Sequence, residues 1–378
     1  MRKFTVGRVW GIPIRIDLSL VIFLPVLAWL FGSGAQIDAY AAIVNDLSPN
    51  AYAVSVLKAG ANPWIVGVLG AVGLFVGVGV HELGHAYVGR RYGVETEAIT
   101  LWLLGGLASL QSIPRDPRQE FNIAVAGPIT SVVVAAVCYA ALYAIPSSLP
   151  VAGFVVGWLA VTNALLAGFN LLPAFPMDGG RVFRAFLARS RPYGVATRIA
   201  ARVGIGFAVL FAVVGILAFS PLFLLLAWFL YSAANGESRS VLLDDLLEGL
   251  SVGDVLGETR TIDAGESVQS FADRVIDERR TDFAVTRNGA VVGVVSLDAL
   301  RRVREVERDA FRVEEVMRTD LPTVSVDADA FEALATLHDR DAGAAFVEDG
   351  GAVVGVVTSA DYASVLQSRG ALAPVAAG

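Results

Sequence analysis

His81-Glu82-Leu83-Gly84-His85 sets two imidazoles four residues apart, with a carboxylate beside the first. Residues i and i+4 share one face of a helix, so both rings can point at a single ion. Glu82 is then in reach of a metal-bound water as general base, the division of labour of an HExxH hydrolase site. Gly84 has no side chain and lets another backbone approach the same face. The setting sharpens the signal, because the motif ends the apolar run from Pro63 to Val80. Ionisable groups at membrane depth are costly to bury and mark functional sites. The bland alternative is a chance HExxH in a helix, and it would leave two histidines and a glutamate without partners in an apolar segment.

A zinc hydrolase site needs a third protein ligand and an open position for water. The chain has 3 histidines, and the one outside the motif, His338, lies in a polar C-terminal half, so the third ligand is expected to be a carboxylate. Residues 1–235 contain 9 Asp and Glu. Asp178 stands out among them, because it closes a later apolar run in Asn170-Leu171-Leu172-Pro173-Ala174-Phe175-Pro176-Met177-Asp178-Gly179-Gly180-Arg181. Pro173 and Pro176 should break the helix there and let the chain present the carboxylate. A plain turn or cap role is the alternative for Asp178. Asn163 and Asn170 are polar side chains at similar depth. Either could hold a peptide carbonyl or steady an oxyanion, and either could be an interhelical contact; spacing does not choose.

The elements that must carry these groups are membrane helices. Hydrophobic residues make up 55% of the 378 and mean hydropathy is +0.62, but the excess is confined to one half. Residues 1–235 carry 15 Lys and Arg against 9 Asp and Glu, whereas residues 236–378 carry 14 against 27. A membrane half is thus joined to an acidic, soluble half, and the acidity argues against a nucleic-acid partner, which needs a basic face. Six segments approach the ~20 residues that span a bilayer: about 16–35, 63–86, 122–145, 151–173, 200–218 and 219–235. The first lacks the features of a cleavable signal peptide. The single cysteine, Cys138, excludes a disulfide framework within the chain and a Cys-based metal site.

Lys and Arg in short loops set the orientation. Arg2, Lys3, Arg8 and Arg15 precede the first span; Arg90, Arg91, Arg115 and Arg118 follow the second; Arg181, Arg184, Arg189, Arg191 and Arg198 follow the fourth. All fall on one side if the N-terminus is cytoplasmic, and six spans then return the acidic half to the cytoplasm. His81 is expected ~12 Å inside the end of its span at ~1.5 Å per residue. Ile99–Leu110 is apolar but too short to span, and Gly105-Gly106 divides two β-compatible runs. It reads as a hairpin dipping into the membrane, with an amphipathic surface segment as the alternative. Non-helical backbone at that depth must be buried in protein or line a wet cavity.

HELGH in one span and NLLPAFPMDGGR at the end of a later one resemble the site-2 protease family of intramembrane zinc metalloproteases. Gly7-Arg8-Val9-Trp10-Gly11-Ile12-Pro13, Leu104-Gly105-Gly106 and Ala126-Gly127-Pro128 look like that family too, and the resemblance covers roughly residues 5–235. It implies one zinc per chain held by His81, His85 and Asp178, with Glu82 activating water. Asn170 matches the asparagine to which the family assigns a role in holding substrate or intermediate. The implied reaction is hydrolysis of peptide bonds within or beside transmembrane segments of membrane-anchored substrates.

The acidic half repeats. Val252-Gly253-Asp254-Val255-Leu256 recurs as Val313-Glu314-Glu315-Val316-Met317, and Val291-Val292-Gly293-Val294-Val295-Ser296 as Val353-Val354-Gly355-Val356-Val357-Thr358. Each copy has a helical stretch (268–279, 330–339) and a short strand (283–286, 344–347) between these marks. Tandem units of one period pack together. The pattern resembles a pair of CBS domains, which implies an adenosine nucleotide between copies, or a dimerising pair without ligand. The family's Ser/Thr-x-x-Asp contact is present as Thr358 and Asp361, while the first copy has Ala299 in the Asp position.

The expected architecture is a polytopic α-helical membrane protein followed by a soluble α/β CBS pair. Its boundaries fall at 1–238, 239–308 and 309–378, with the N-terminus and the CBS pair on the cytoplasmic side of the cell membrane. The expected partners are the membrane, a transmembrane protein or peptide substrate, an adenosine nucleotide and a second copy of the chain through the CBS pair. Two other readings are a CBS-regulated transporter, disfavoured because no broken-helix inverted repeat is visible, and an inactive scaffold, which would be expected to lack Glu82 or a ligand.

Overall fold

The structure is a computed structural model and describes residues 3–103, 105–110, 115–257, 259–278, 281–339 and 342–372. Its contacts divide the chain into two units, Met1–Arg239 and Ser240–Gly378.

The first unit opens on a hairpin, β1 (Lys3–Val9) and β2 (Ile12–Asp17). Trp10 and Gly11 make the turn with φ of 52° and 85°. The first helix therefore starts later than position 16: Asp17 caps it, accepting from the Ser19 N–H at 2.9 Å. That segment is also not one straight span, because α1 (Leu18–Phe31) and α2 (Gly34–Leu47) are bent by 68° at the break between them. After α3 (Val54–Leu57) comes the motif helix α4 (Asn62–Arg91), about 45 Å long at ~1.5 Å per residue. It ends at Arg91 rather than near 89, which sets His81 about 15 Å from its end.

The expected hairpin is present as β3 (Thr96–Trp102) and β4 (Gly105–Leu110). Leu104 lies outside the described residues, as do the side chains of residues 107–110. Not expected was its partner. The N-terminal hairpin joins it in a sheet of order β1-β2-β3-β4, with β2 parallel to β3 (Ile14 opposite Ile99). Ile99 and Leu101 of β3 are buried with Ile12, Leu20, Phe75, Val78 and Ala86, so this non-helical backbone is covered by α1 and α4.

The unit continues with α5 (Pro117–Leu142), α6 (Pro150–Asn170), α7 (Asp178–Leu187), α8 (Tyr193–Leu217) and α9 (Pro221–Leu247). Among the described residues four helices are long and apolar enough to cross a membrane, α4, α5, α6 and α8, or five if the bent α1–α2 pair is one span. The sixth expected span fails that test. Its apolar stretch, Pro221–Ala234, covers only about 21 Å before polar residues continue the same helix. It nonetheless turns back along α8: Phe211 stacks on Phe223 at 5.8 Å, and Ala234 packs with Ala200 and Ala201. Val132, Val133 and Val137 of α5 are 53%, 55% and 63% exposed, an apolar outer face suited to lipid. Inside, small residues bring helices close. A Cβ on Gly67 would sit 1.9 Å from the Ala28 carbonyl oxygen, and one on Gly84 2.9 Å from that of Ala126.

In the second unit α10 (Val252–Val255), β5 (Thr261–Asp263), α11 (Val268–Glu278), β6 (Asp282–Arg287), β7 (Ala290–Ser296) and α12 (Leu297–Arg302) form the first copy. The second is α13 (Val313–Val316), β8 (Thr323–Ser325), α14 (Ala330–Asp339), β9 (Ala344–Asp349), β10 (Ala352–Thr358) and α15 (Ser359–Leu372). The sheets are equivalent: β5 is parallel to β6 and β6 antiparallel to β7, as β8 is to β9 and β9 to β10. Both hairpins carry a register shift, between Val285 and Thr286 and between Val353 and Gly355.

Candidate metal centre

Helix α6 ends at Asn170, ahead of Pro173, and α7 starts at Asp178, so the proline-rich segment does unwind the chain before the carboxylate. This brings Asp178 to the motif. Among the described residues His81, His85 and Asp178, all buried, offer ligand atoms that lie within 4.8 Å of one another. Asp178 Oδ2 is 3.1 Å from His81 Nε2 and 3.2 Å from His85 Nε2, and the two Nε2 atoms are 3.1 Å apart.

The far sides of the rings decide what those distances mean. His85 Nδ1 lies 2.7 Å from the Ile123 carbonyl oxygen, which can only accept, so Nδ1 carries the proton. In the neutral ring Nε2 is then a lone pair, and it faces a carboxylate oxygen and a second imidazole. A carboxylate oxygen and two imidazole nitrogens converging at this spacing suit a shared cation. A proton would serve one pair; a metal ion serves all three. A tetrahedral ion with bonds of ~2.0–2.1 Å holds its ligand atoms about 3.3 Å apart, so the donor set fits zinc. His81 Nδ1 is 2.9 Å from Ser131 Oγ, a hydroxyl that holds the other ring in place.

These supports come from one face of α5: Ile123, Gly127 and Ser131, spaced by four. Gly127 presses on the site. A Cβ there would lie 2.2 Å from His85 Nε2 and 2.6 Å from His81 Nε2. Sequence reasoning noted Ala126-Gly127-Pro128 only as a resemblance and missed Ile123 and Ser131, because a backbone carbonyl and a lone serine in an apolar helix carry no local signal.

Glu82 stands outside the donor group. The backbone of β4 lies against it: a Cβ on Gly106 would be 2.5 Å from Glu82 Cγ and 2.6 Å from its Oε1. The asparagines are less engaged. Asn163 is 1% exposed, donates to the Leu159 carbonyl at 2.9 Å, and its Oδ1 has no partner. Asn170 Nδ2 likewise donates to its own helix, to Leu166 at 2.9 Å.

In the second unit Thr358 and Asp361 come together at the start of α15. The Thr358 N–H and hydroxyl donate to Asp361 Oδ2 at 2.9 and 2.8 Å. They line a cavity of about 420 Å³ with Asp254, Thr281, Asp282 and Ser364. Burial, with the charges of Asp361 and Asp298, holds Asp282 above the usual carboxylate range, against the pull of the Thr281 hydroxyl. Arg260 lines the adjoining groove with Asp282, Thr358 and Asp361. Ala299, in the equivalent first-copy position, is buried.

Three converging groups that could hold a metal ion inside a helical bundle, with a carboxylate beside them, are the arrangement of a membrane-embedded protein of the HExxH class. The comparisons make the class specific. The model of Peptidase family M50 matches residues 69–155 and 147–211, and that of the CBS domain matches residues 313–368. The chain is 32% identical to Rip3 of Mycobacterium tuberculosis, named as a zinc metalloprotease, over 95% of this chain and 92% of that protein. It is 29% identical to the zinc metalloprotease MJ0392 of Methanocaldococcus jannaschii over 94% and 93% of the two chains. The structure of a site-2 protease from Methanocaldococcus jannaschii aligns with 63% of this chain and 96% of that one, at 31% identity and a TM-score of 0.42. The protein belongs to peptidase family M50, the site-2 protease family, and is a membrane protein with a C-terminal CBS domain.

Proposed function

We propose that this chain is an intramembrane zinc endopeptidase that cuts membrane-anchored substrates within or near their transmembrane segments. The observation that carries the reading is the convergence of His81, His85 and Asp178 with the His85 proton committed to Ile123. Zinc at this site supplies the Lewis acidity that makes water nucleophilic near neutral pH. Glu82 accepts the proton of the attacking water and returns it to the departing amine as the peptide C–N bond breaks. A substrate helix must open first, since its carbonyls are bonded internally. β4 is the outer strand of its sheet and passes beside Glu82, so an extended peptide can pair along its free edge. Asn170 is assigned to hold the substrate or intermediate.

One end of the bundle supports an orientation. There Tyr92, after α4, accepts from Asn122 of α5 at 2.6 Å, and Arg184 of α7 meets Glu120, Tyr193 and Glu237. The basic residues cluster at this end, which supports placing it, the N-terminus and the CBS pair on the cytoplasmic side of the cell membrane.

The test uses purified protein and a panel of single-span membrane proteins from the same host. Near-stoichiometric zinc is expected, with cleavage that stops on chelation and returns when zinc is restored. Protein without zinc that processes none of the panel would overturn the reading.

We further propose that the CBS pair regulates this activity by binding an adenosine nucleotide in the Thr358–Asp361 cleft, or by pairing with a second copy. Carboxylates suit ribose hydroxyls, and Arg260 offers a cation to a phosphate. Asp361→Ala is expected to weaken ATP or AMP binding at least tenfold in calorimetry. Equal affinity in wild type and variant would remove this cleft as the ligand site.

A further inference from the structure

Among the described residues of the first unit, the most deeply buried charge is not at the metal centre. Arg184 is 0% exposed, although it belongs to the run of basic residues between α6 and α8. Its Nε donates to Glu120 Oε1 at 2.7 Å, its Nη2 lies 2.5 Å from the same oxygen, and its Nη1 donates to Glu237 Oε1 at 2.5 Å. The guanidinium carbon lies over two rings, 5.0 Å from the Phe175 centroid and 4.8 Å from that of Tyr193. Glu120 is 3% exposed, and its Oε2 has no partner. A buried guanidinium that donates to two carboxylates and lies over two rings is fixed in position.

What it fixes is the segment that carries Asp178. Arg184 and Asp178 share α7, and Phe175 lies three residues before Asp178 in the unwound stretch. Arg184 therefore grips the chain on both sides of the carboxylate. Glu120 opens α5, one turn before Ile123 and two turns before Gly127, the residues that set the imidazoles. The ion pair thus ties the helix bearing the third ligand to the helix that orients the first two. Gly179 and Gly180 leave little slack: a Cβ on Gly179 would sit 2.3 Å from the Leu171 and Leu172 carbonyl oxygens.

We propose that Arg184 is a positioning residue for the metal centre, holding Asp178 against His81 and His85 through Glu120 of α5 and Phe175 of the preceding segment. The proposal rests on reading the three donors as a zinc site. That reading is tested by zinc in the wild type, whereas the proposal is tested by variants measured against it.

In the full-length protein, Arg184→Lys keeps the charge but loses the fork and its contact with the rings. It is expected to weaken zinc affinity at least tenfold, alter the visible spectrum of the cobalt-substituted site and lower kcat more than it raises KM. Phe175→Leu removes one of the two rings and is expected to weaken zinc severalfold. Glu237→Gln leaves Glu120 in place and should stay within about twofold. Ile37→Ala, in a buried cluster with Val44 and Trp158, serves as a control that lowers thermal stability without moving zinc affinity. Arg184→Lys or Phe175→Leu with wild-type zinc affinity and cobalt spectrum would overturn the proposal. So would an Ile37→Ala protein that loses zinc in proportion to its stability. If Arg184→Lys does not fold, Phe175→Leu decides by the same readouts.

Discussion

Gly127→Ala is expected to strip the protein of zinc while leaving its helices intact. The new methyl would occupy space 2.2 Å from His85 Nε2 and 2.6 Å from His81 Nε2, the atoms that face Asp178. Neither ring can swing clear without giving up its anchor, the Ile123 carbonyl at 2.7 Å or Ser131 Oγ at 2.9 Å. Retreat of α5 as a whole would pull both anchors away together. Overpacking of this kind costs ~1–3 kcal/mol, which a bundle of this size tolerates, but it falls wholly on the donor geometry. Zinc should drop from near one to below about one tenth per chain, with cleavage at background and an unchanged helical circular dichroism spectrum. Gly168→Ala, where a Cβ meets nothing within 4 Å, is the matched control and should retain both zinc and activity. A Gly127→Ala protein with full zinc would show that the imidazoles do not work in the position described.

The convergence of His81, His85 and Asp178 was legible in the sequence because each part leaves a local mark. HELGH has helical spacing, and Asp178 follows two prolines that must end a helix. Its supports were not legible. Ile123, Gly127 and Ser131 act through the packing of α5 on α4, and nothing local distinguishes Ser131 from an interhelical contact. The burial of Arg184, counted with the cations after the fourth span, was not legible, because Glu120 and Glu237 arrive from 64 positions earlier and 53 later. Hydropathy misled at both ends of the first unit. It took about 16–35 for one span, where Asp17 ends a strand and the helix that follows gives way at Phe31 to a second, bent by 68°. It also took the apolar start of α9 for a full span, although the helix outlasts the apolar stretch. The repeat was read well, since its Gly-containing strands recur in register and each copy folds into the same three-stranded sheet.

Glu82→Gln should separate the metal site from the chemistry. Glu82 is not among the three donors, so the variant is expected to hold zinc as wild type does. Glutamine has nearly the same shape, so the contact with the Gly106 backbone survives. The one property lost is the ability to accept a proton from water, and general-base catalysis is worth ~10²–10⁴-fold. Cleavage of any panel substrate should fall by at least ~10²-fold without loss of substrate binding. Uncut substrate should therefore copurify with Glu82→Gln and not with wild type, which also makes this variant the means of finding natural substrates. Glu82→Asp keeps the proton acceptor but withdraws it by one methylene from its place beside Gly106, and should recover only part of the rate. Wild-type cleavage by Glu82→Gln would exclude this carboxylate as the base. Loss of zinc from Glu82→Gln would instead make Glu82 part of the metal's support.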